Sequence, residues 1–326
     1  MSLRRKITQY VLNNHPIPLE LQNPEHEFYY NDYVNNLYCP MGNDALRAYN
    51  EGNGCETMSQ KTTIKGKTYI RPAKMASIAS SSALTFNLLG NNPVKILPDN
   101  ILPSGTYNIT YEKRMHSLAL RSAVAHLDAF LSDKENKTAI FCEMKMLEWL
   151  DKPRTISETY FSHKYYFEED TLAVNFPEDA YGFFTKWAQL LRNENFIRYD
   201  VWQMFKHILA IYNYSSFVTK KSLNNYKPQS SIAGEYDRII LANVVNEFPA
   251  ELIKDEKTKL EYERALYEEQ SEARVFIETM SYCQIPRIFD NNCNSGIQIE
   301  YLSAKQFAEM IEMSESKRTY LKRYYE

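Results

Sequence analysis

The chain has 326 residues, 44% of them hydrophobic, with 38 Lys+Arg against 41 Asp+Glu for a formal net charge of −3. That length and apolar share suffice to bury a sizeable core, and the near balance of charge excludes a disordered polyelectrolyte, a collagen-like repeat and a uniformly basic nucleic-acid binder. No stretch reaches the ~18 apolar residues of a membrane span, no apolar h-region follows the charged N-terminus, and the cysteines (39, 55, 142, 283 and 293) contain no C-x-x-C pair, so the expectation is a cytoplasmic protein without a disulfide framework or a structural zinc.

Residues 1–55, rich in Asn, Tyr and Pro with weak periodicity, read as short helices and loops. From Lys61 to Lys74 the chain carries Lys61, Lys65, Lys67, Arg71 and Lys74 without an acidic residue. Such a run reads either as a solvated loop or as an arm touching phosphates beside a nucleic-acid groove. Ser80, Ser81 and Ser82 before the apolar run 83–89, with Gly90 after it, are helix boundary signals. Pro93, Pro98 and Pro103 predict irregular chain to residue 105, and Tyr107, Ile109 and Tyr111, alternating with polar partners, predict a half-buried strand. Residues 123–131 and 138–146 read as two strands joined by a polar link, hence an antiparallel pair with residue 128 opposite 143. Further on, 171–174 reads as a short strand and 178–192 as a helix. A second helix, 200–213, carries Val201, Phe205, Ile208, Leu209 and Tyr212 on one face. A buried strand follows at 236–245, then an exposed helix over 247–274 and a terminal helix over 303–325. This organisation predicts an N-terminal extension (1–75) packing on a core (76–246), and a mainly helical C-terminal extension (247–326).

Chemistry concentrates in the strand pair. Glu143 and Lys145, two apart on a strand, project from one face, and Asp128 on the neighbouring strand points into the same space. Converging carboxylates repel each other, and burial raises the cost of their charge. A hard divalent cation offsets both; Mg²⁺, or Mn²⁺ in its place, is held by one or two carboxylates plus substrate phosphate. Lys145 would then orient or help deprotonate an attacking water and offset charge at phosphorus. Other acidic-x-Lys tripeptides occur at Glu135-Asn136-Lys137, Asp255-Glu256-Lys257 and Glu315-Ser316-Lys317. They fall in a turn or in helices, where i and i+2 do not share a face. The alternative for Glu143 and Lys145 is a surface ion pair on a half-exposed strand. No G-x-x-x-x-G-K-[ST] loop, G-x-S-x-G elbow or zinc-type histidine pair is present.

The order helix, strand, Asp-bearing strand, Glu-x-Lys-bearing strand, helix, strand resembles the PD-(D/E)XK phosphodiesterase superfamily, the restriction-endonuclease-like nucleases. Asp128 stands for its aspartate, although the preceding proline is absent, and Glu143 and Lys145 stand for its acidic residue and lysine. The chain is also similar to one bacterial branch of uncharacterised members, through Gly52-Asn53-Gly54-Cys55-Glu56, Lys74 and the run Ser81 to Gly90, over residues 50–150 with a fainter echo to 245. The resemblance implies an α/β (α+β) fold: a restriction-endonuclease-like core of a mixed β-sheet flanked by helices, with helical N- and C-terminal additions. It implies Mg²⁺-dependent hydrolysis of DNA, with Asp128, Glu143 and, from the N-terminal side, Glu56 as metal ligands. Asp128, Glu143, Lys145 and Gln203 would be catalytic, Gln203 touching metal-bound water or the DNA backbone. Lys61, Lys65, Lys67, Arg71, Lys74 and Lys164, with Lys220 and Lys221, would flank the phosphate path. Read from the residues alone, Glu56 is equally a solvated loop glutamate, Gln203 a helix-surface glutamine and these lysines solvated. His126 shares the face of Asp128. The expected partner is DNA and not a membrane, with a homodimer as one open arrangement. The alternatives are a catalytically inactive nuclease-like module that binds nucleic acid or protein, and an assembly protein acting through its tyrosine-rich surface.

Overall fold

The computed structural model describes residues 1–326 apart from 52–55, 65–66, 119–123, 154, 168–175, 217–231, 233 and 290–295. The strand expected at 171–174, residues 52–55 of the Gly-x-Gly-x-Glu segment, Lys65, Lys220 and Lys221 lie outside the described residues. The basic run is an antiparallel hairpin, β1 (Gln60–Ile64) and β2 (Lys67–Arg71), rather than a plain loop. Strands β3 (Val94–Ile96), β4 (Gly105–His116), β5 (Val124–Asp133), β6 (Thr138–Lys145), β7 (Arg238–Val245) and β8 (Ile297–Ser303) form one sheet in that order. The pairs from β3 to β6 are antiparallel, and β6–β7 and β7–β8 are parallel. The helices are α1 (Leu3–Asn14), α2 (Asn43–Glu51), α3 (Ser81–Leu89), α4 (Lys164–Phe167), α5 (Glu178–Asn193), α6 (Val201–Ser216), α7 (Glu256–Tyr282), α8 (Ile285–Ile288), α9 (Ala304–Met310) and α10 (Glu315–Tyr325). The molecule is thus a mixed α/β fold, a six-stranded mixed sheet flanked by helices, with helical segments at both ends.

The elements follow their local chemistry. Ser80 caps α3 by accepting from the Ala83 N–H, and Gly90 ends it at φ 81, a conformation that favours glycine. Strand β4 alternates buried Tyr107, Ile109 and Tyr111 with exposed Thr106, Asn108 and Thr110, the pattern of a strand with one wet face. β6, by contrast, is buried almost throughout because helices cover both faces of the sheet. Its side chains alternate accordingly. Ile140, Cys142 and Met144 enter the core shared with α1, α3, α9 and α10, whereas Ala139 and Phe141 enter the core shared with α5 and α6. By the same alternation Glu143 and Lys145 face α6.

Besides the hairpin, the sequence expectations differ from the structure in four places. The proline-spaced stretch before residue 105 contains β3, an edge strand with buried Val94 and Ile96 around exposed Lys95, and an edge tolerates flanking prolines. The helix expected from 247 starts only at Glu256, after Pro249 and the capping side chain of Asp255. The single terminal helix is two helices, because Ile311 leaves helical geometry to bridge Ile96 and Ser314 caps a new start. Finally, the C-terminal extension supplies β8 to the sheet itself.

One carboxylate ties α6 in place. Glu272, on α7, accepts the backbone N–H of Ile197 (3.0 Å) on one oxygen and those of Arg198 (2.9 Å) and Tyr199 (2.8 Å) on the other, in the turn that launches α6. Hydrogen bonds to a charged acceptor are worth about 1.5–3 kcal/mol each in favourable cases. Glu272→Ala is expected to lower unfolding free energy by about 2 kcal/mol in urea titrations; an unchanged midpoint would show that other contacts set the turn.

Candidate active site

Glu143 sits at the C-terminal end of β6, 3% exposed. Its Oε1 accepts from Lys145 Nζ at 2.7 Å and from Gln203 Nε2 at 2.7 Å. The carbonyl oxygen of Gln203 accepts from the same lysine at 2.6 Å, so the amide bridges carboxylate and ammonium. On the other side, Nε2 of the fully buried His207 lies 3.0 Å from Glu143 Oε2, out of line for a full hydrogen bond. Gln203 and His207 are four residues apart on α6 and so share the helix face turned to β6.

Asp128 arrives from β5, half-buried. The register Ala129↔Cys142 sets residue 128 opposite 143, as expected, but the β5–β6 ladder stops at that pair. Instead of continuing it, the Met144 N–H donates to Asp128 Oδ2 at 2.6 Å. The adjoining β4–β5 ladder is broken at the same level. It runs through Tyr111↔Ala129 and Lys113↔Leu127 and skips the pair Glu112 and Asp128 between them. Glu112 has φ 50, in the left-handed region, which is costly for a residue with a Cβ. Across this break the strands exchange faces: Tyr111 and Ala129 lie in the α3 core, whereas Met115 and Leu127 lie in the α6 core.

Glu112 is therefore a fourth acidic group beside the three expected ones, and burial, then Glu56 and Glu143, push its carboxyl up to about 7. Burial, then Glu143 and Glu112, raise Asp128 well above the usual range, against the pull of the Met144 N–H and Lys145. Glu143 goes the opposite way. Burial opposes its charge, but the Lys145 ammonium and then His207 outweigh it and hold the carboxyl down at about 2. Lys145 is raised above its ordinary value because the Glu143 pair outweighs its burial. Desolvation lowers His207, and lowers His126 to about 4, so both imidazoles are neutral near pH 7.

Glu56, Lys74 and Ser82, three residues of the motif ahead of the core, also meet. Lys74 Nζ donates to Glu56 Oε1 at 2.9 Å and Ser82 Oγ to Oε2 at 2.7 Å. Among the described residues no group of three or more His, Cys, Asp or Glu side chains is arranged to hold a metal ion. Glu56, the expected third ligand, is 5% exposed and both its oxygens are engaged by Lys74 and Ser82. Lys74 is thus an ion-pair partner. Lys61 and Arg71 are exposed on the hairpin, Lys67 begins β2, and Lys164 is exposed at the start of α4. Sequence reasoning missed Glu112 and His207; the second stands one turn after Gln203 and was open to detection once that partner was chosen, whereas the first is turned toward Asp128 only by the break in the strand. No family model, curated protein or solved structure matches the chain.

The raised carboxyl of Glu112 has a measurable consequence. In the unfolded chain it loses its proton near 4.5, but in the fold only near 7. Between those values the native state binds more protons, so this contribution to stability falls as pH rises from 4.5 to 7. In EDTA, Glu112→Gln should flatten that decline by on the order of 2–3 kcal/mol, read as urea midpoints across the range. Parallel curves for the two proteins would place Glu112 in an environment no different from water.

Proposed function

We propose that the chain is a metal-dependent phosphodiesterase that hydrolyses DNA, with Asp128 and Glu143 binding Mg²⁺ and Lys145 and Gln203 completing the catalytic group. The observation that carries this reading is the Glu143–Lys145–Gln203 triangle closed at 2.6–2.7 Å, with Asp128 beside it where the sheet ladders part. A surface ion pair would not require a buried glutamate braced by a glutamine and a histidine from a separate helix.

The donor set fits a hard cation. Asp128 and Glu143 offer carboxylate oxygen, and the burial and then the mutual repulsion that raise the Asp128 carboxyl are what a divalent ion offsets. Bound there, Mg²⁺ would supply Lewis acidity and a water of lowered pKa. The chain's own residues do the rest. Lys145 remains an ammonium, so it offsets charge at the phosphorus centre rather than accepting a proton from the attacking water. Gln203 fixes the lysine and one oxygen of Glu143, while His207 abuts the other. Lys61, Arg71 and Lys164, exposed on the hairpin and at the start of α4, would line the path of the DNA backbone, where phosphate contacts position the substrate without reading its sequence. No described helix is long and apolar enough to cross a membrane, and a cytoplasmic enzyme, alone or as a homodimer, suits this reading.

A second reading, a nuclease-like module that binds nucleic acid without cutting, is favoured by Leu127 standing where the motif has its proline before Asp128. The two separate in a cleavage assay. Purified protein should cut duplex or single-stranded DNA with Mg²⁺ or Mn²⁺ and stop with EDTA. Glu143→Ala and Lys145→Ala, folded by circular dichroism, should lose about 100-fold or more in rate, and Gln203→Ala about tenfold. DNA binding indifferent to metal with no cleavage by the wild type supports the module, and full-rate cutting by Lys145→Ala removes the assigned chemistry.

A further inference from the structure

Behind Lys145, on the side away from Asp128, the sheet buries polar groups that the triangle does not use. Glu143, Asn243 and Tyr301 form one row across β6, β7 and β8 by register. On α7, Glu269 is 2% exposed. Among the described residues, Asn243 Oδ1, Glu269 Oε2 and the Tyr301 hydroxyl have no hydrogen-bond partner, and neither do the Asn246 amide atoms. A buried polar atom left unmade is costly, and natural folds satisfy such atoms with protein or ordered water. A cavity of about 40 Å³ opens there, lined by Lys145, Glu148, Tyr199, Asp200, Asn243 and Glu269. At roughly 10–15 Å³ each it has room for about three or four waters and for nothing much larger.

The lysine supplies the matching donor. An ammonium has three N–H bonds; Glu143 and Gln203 take two, leaving one where Lys145 borders the cavity. A second cation would be repelled by that ammonium. Burial, then Glu272, push Glu269 up to about 8, so its carboxyl is protonated near neutrality and offers both a donor and an acceptor to a neutral guest.

We propose that ordered water in this cavity bridges Lys145 Nζ to Glu269 and Asn243, making Glu269 a positioning residue for Lys145. The water site stands on geometry alone; its effect on turnover rests on the nuclease reading above. A crystal structure of the full chain that resolves ordered water should show water within hydrogen-bond distance of both Lys145 Nζ and Glu269, and a dry cavity overturns the proposal. In solution the Lys145 ammonium should give a sharp ¹H–¹⁵N correlation in the wild type and in Glu269→Gln, which keeps a neutral donor and acceptor. It should broaden in Glu269→Leu and, should that variant fail to fold, in Asn243→Ala. An unaltered resonance in the folded variants overturns the bridge. If the protein cuts DNA, Glu269→Leu should lower kcat about tenfold with KM unchanged, and Glu269→Gln should restore it. A wild type that cuts no DNA defeats the nuclease reading, while density and resonance still decide the water site.

Discussion

A buried carboxylate is the constraint around which this molecule is arranged. Glu143 is almost wholly removed from solvent, and an unpaired charge in that position would cost several kcal/mol. The fold meets the cost with a lysine two residues on, a glutamine and a histidine one turn apart on α6, and the alternation of β6 that aims all of them at one point. Each partner requires a particular element. Lys145 requires that β6 stay regular to its end, and Gln203 and His207 require that α6 begin where it does. That start is set by Glu272 of α7 holding the turn before it. The long acidic helix, which by composition is an exposed surface element, therefore acts on the site through one of its carboxylates.

Regularity fails where the acidic groups accumulate. The ladders β4–β5 and β5–β6 both lapse at the level of Glu112, Asp128 and Glu143, and a non-glycine residue there takes a left-handed φ. Such a backbone costs of order 1–3 kcal/mol, a cost that continued pairing avoids. The lapse has a structural result, however: it exchanges the faces of β4 and β5, which frees the Asp128 carboxyl to take the Met144 N–H and to lie beside Glu143. A strictly alternating β5 would keep the aspartate in line with its neighbours and the ladder closed.

Much of the architecture was legible because it rests on local rules. The serine and glycine boundaries of α3, the alternation in β4, the register of β5 against β6 and the apolar face of α6 all follow from short-range patterns that the structure repeats. Gln203 could be placed near Glu143 only through the resemblance, since nothing in a single helix says which strand it will face. Strand β8 carried a readable alternation of Ile297 and Ile299 with Gln298 and Glu300, and the helical character of its surroundings hid it. The pairing of Glu56 with Lys74 and Ser82 was beyond the sequence, because it depends on a hairpin folding the chain back between residues 56 and 74. Glu112 was hidden for a different reason. In a strand read by strict alternation its side chain belongs on the wet face with Thr110, and only the backbone break turns it toward other acids.

The site separates its carboxyl groups by environment rather than by residue type. Glu143, surrounded by donors, stays ionised far below neutrality, while Asp128 and Glu112, surrounded by burial and by other acids, hold their protons to higher pH. Two groups of one chemistry with affinities for protons driven apart are the arrangement from which acid–base and metal chemistry is built. Here the lysine sits with the ionised member, so the positive charge is already spent on Glu143, and Asp128 and Glu112 are left with none of comparable closeness. The broken ladders and the acids fall at one level of the sheet, where an entering positive charge would offset the repulsion that, after burial, raises Asp128.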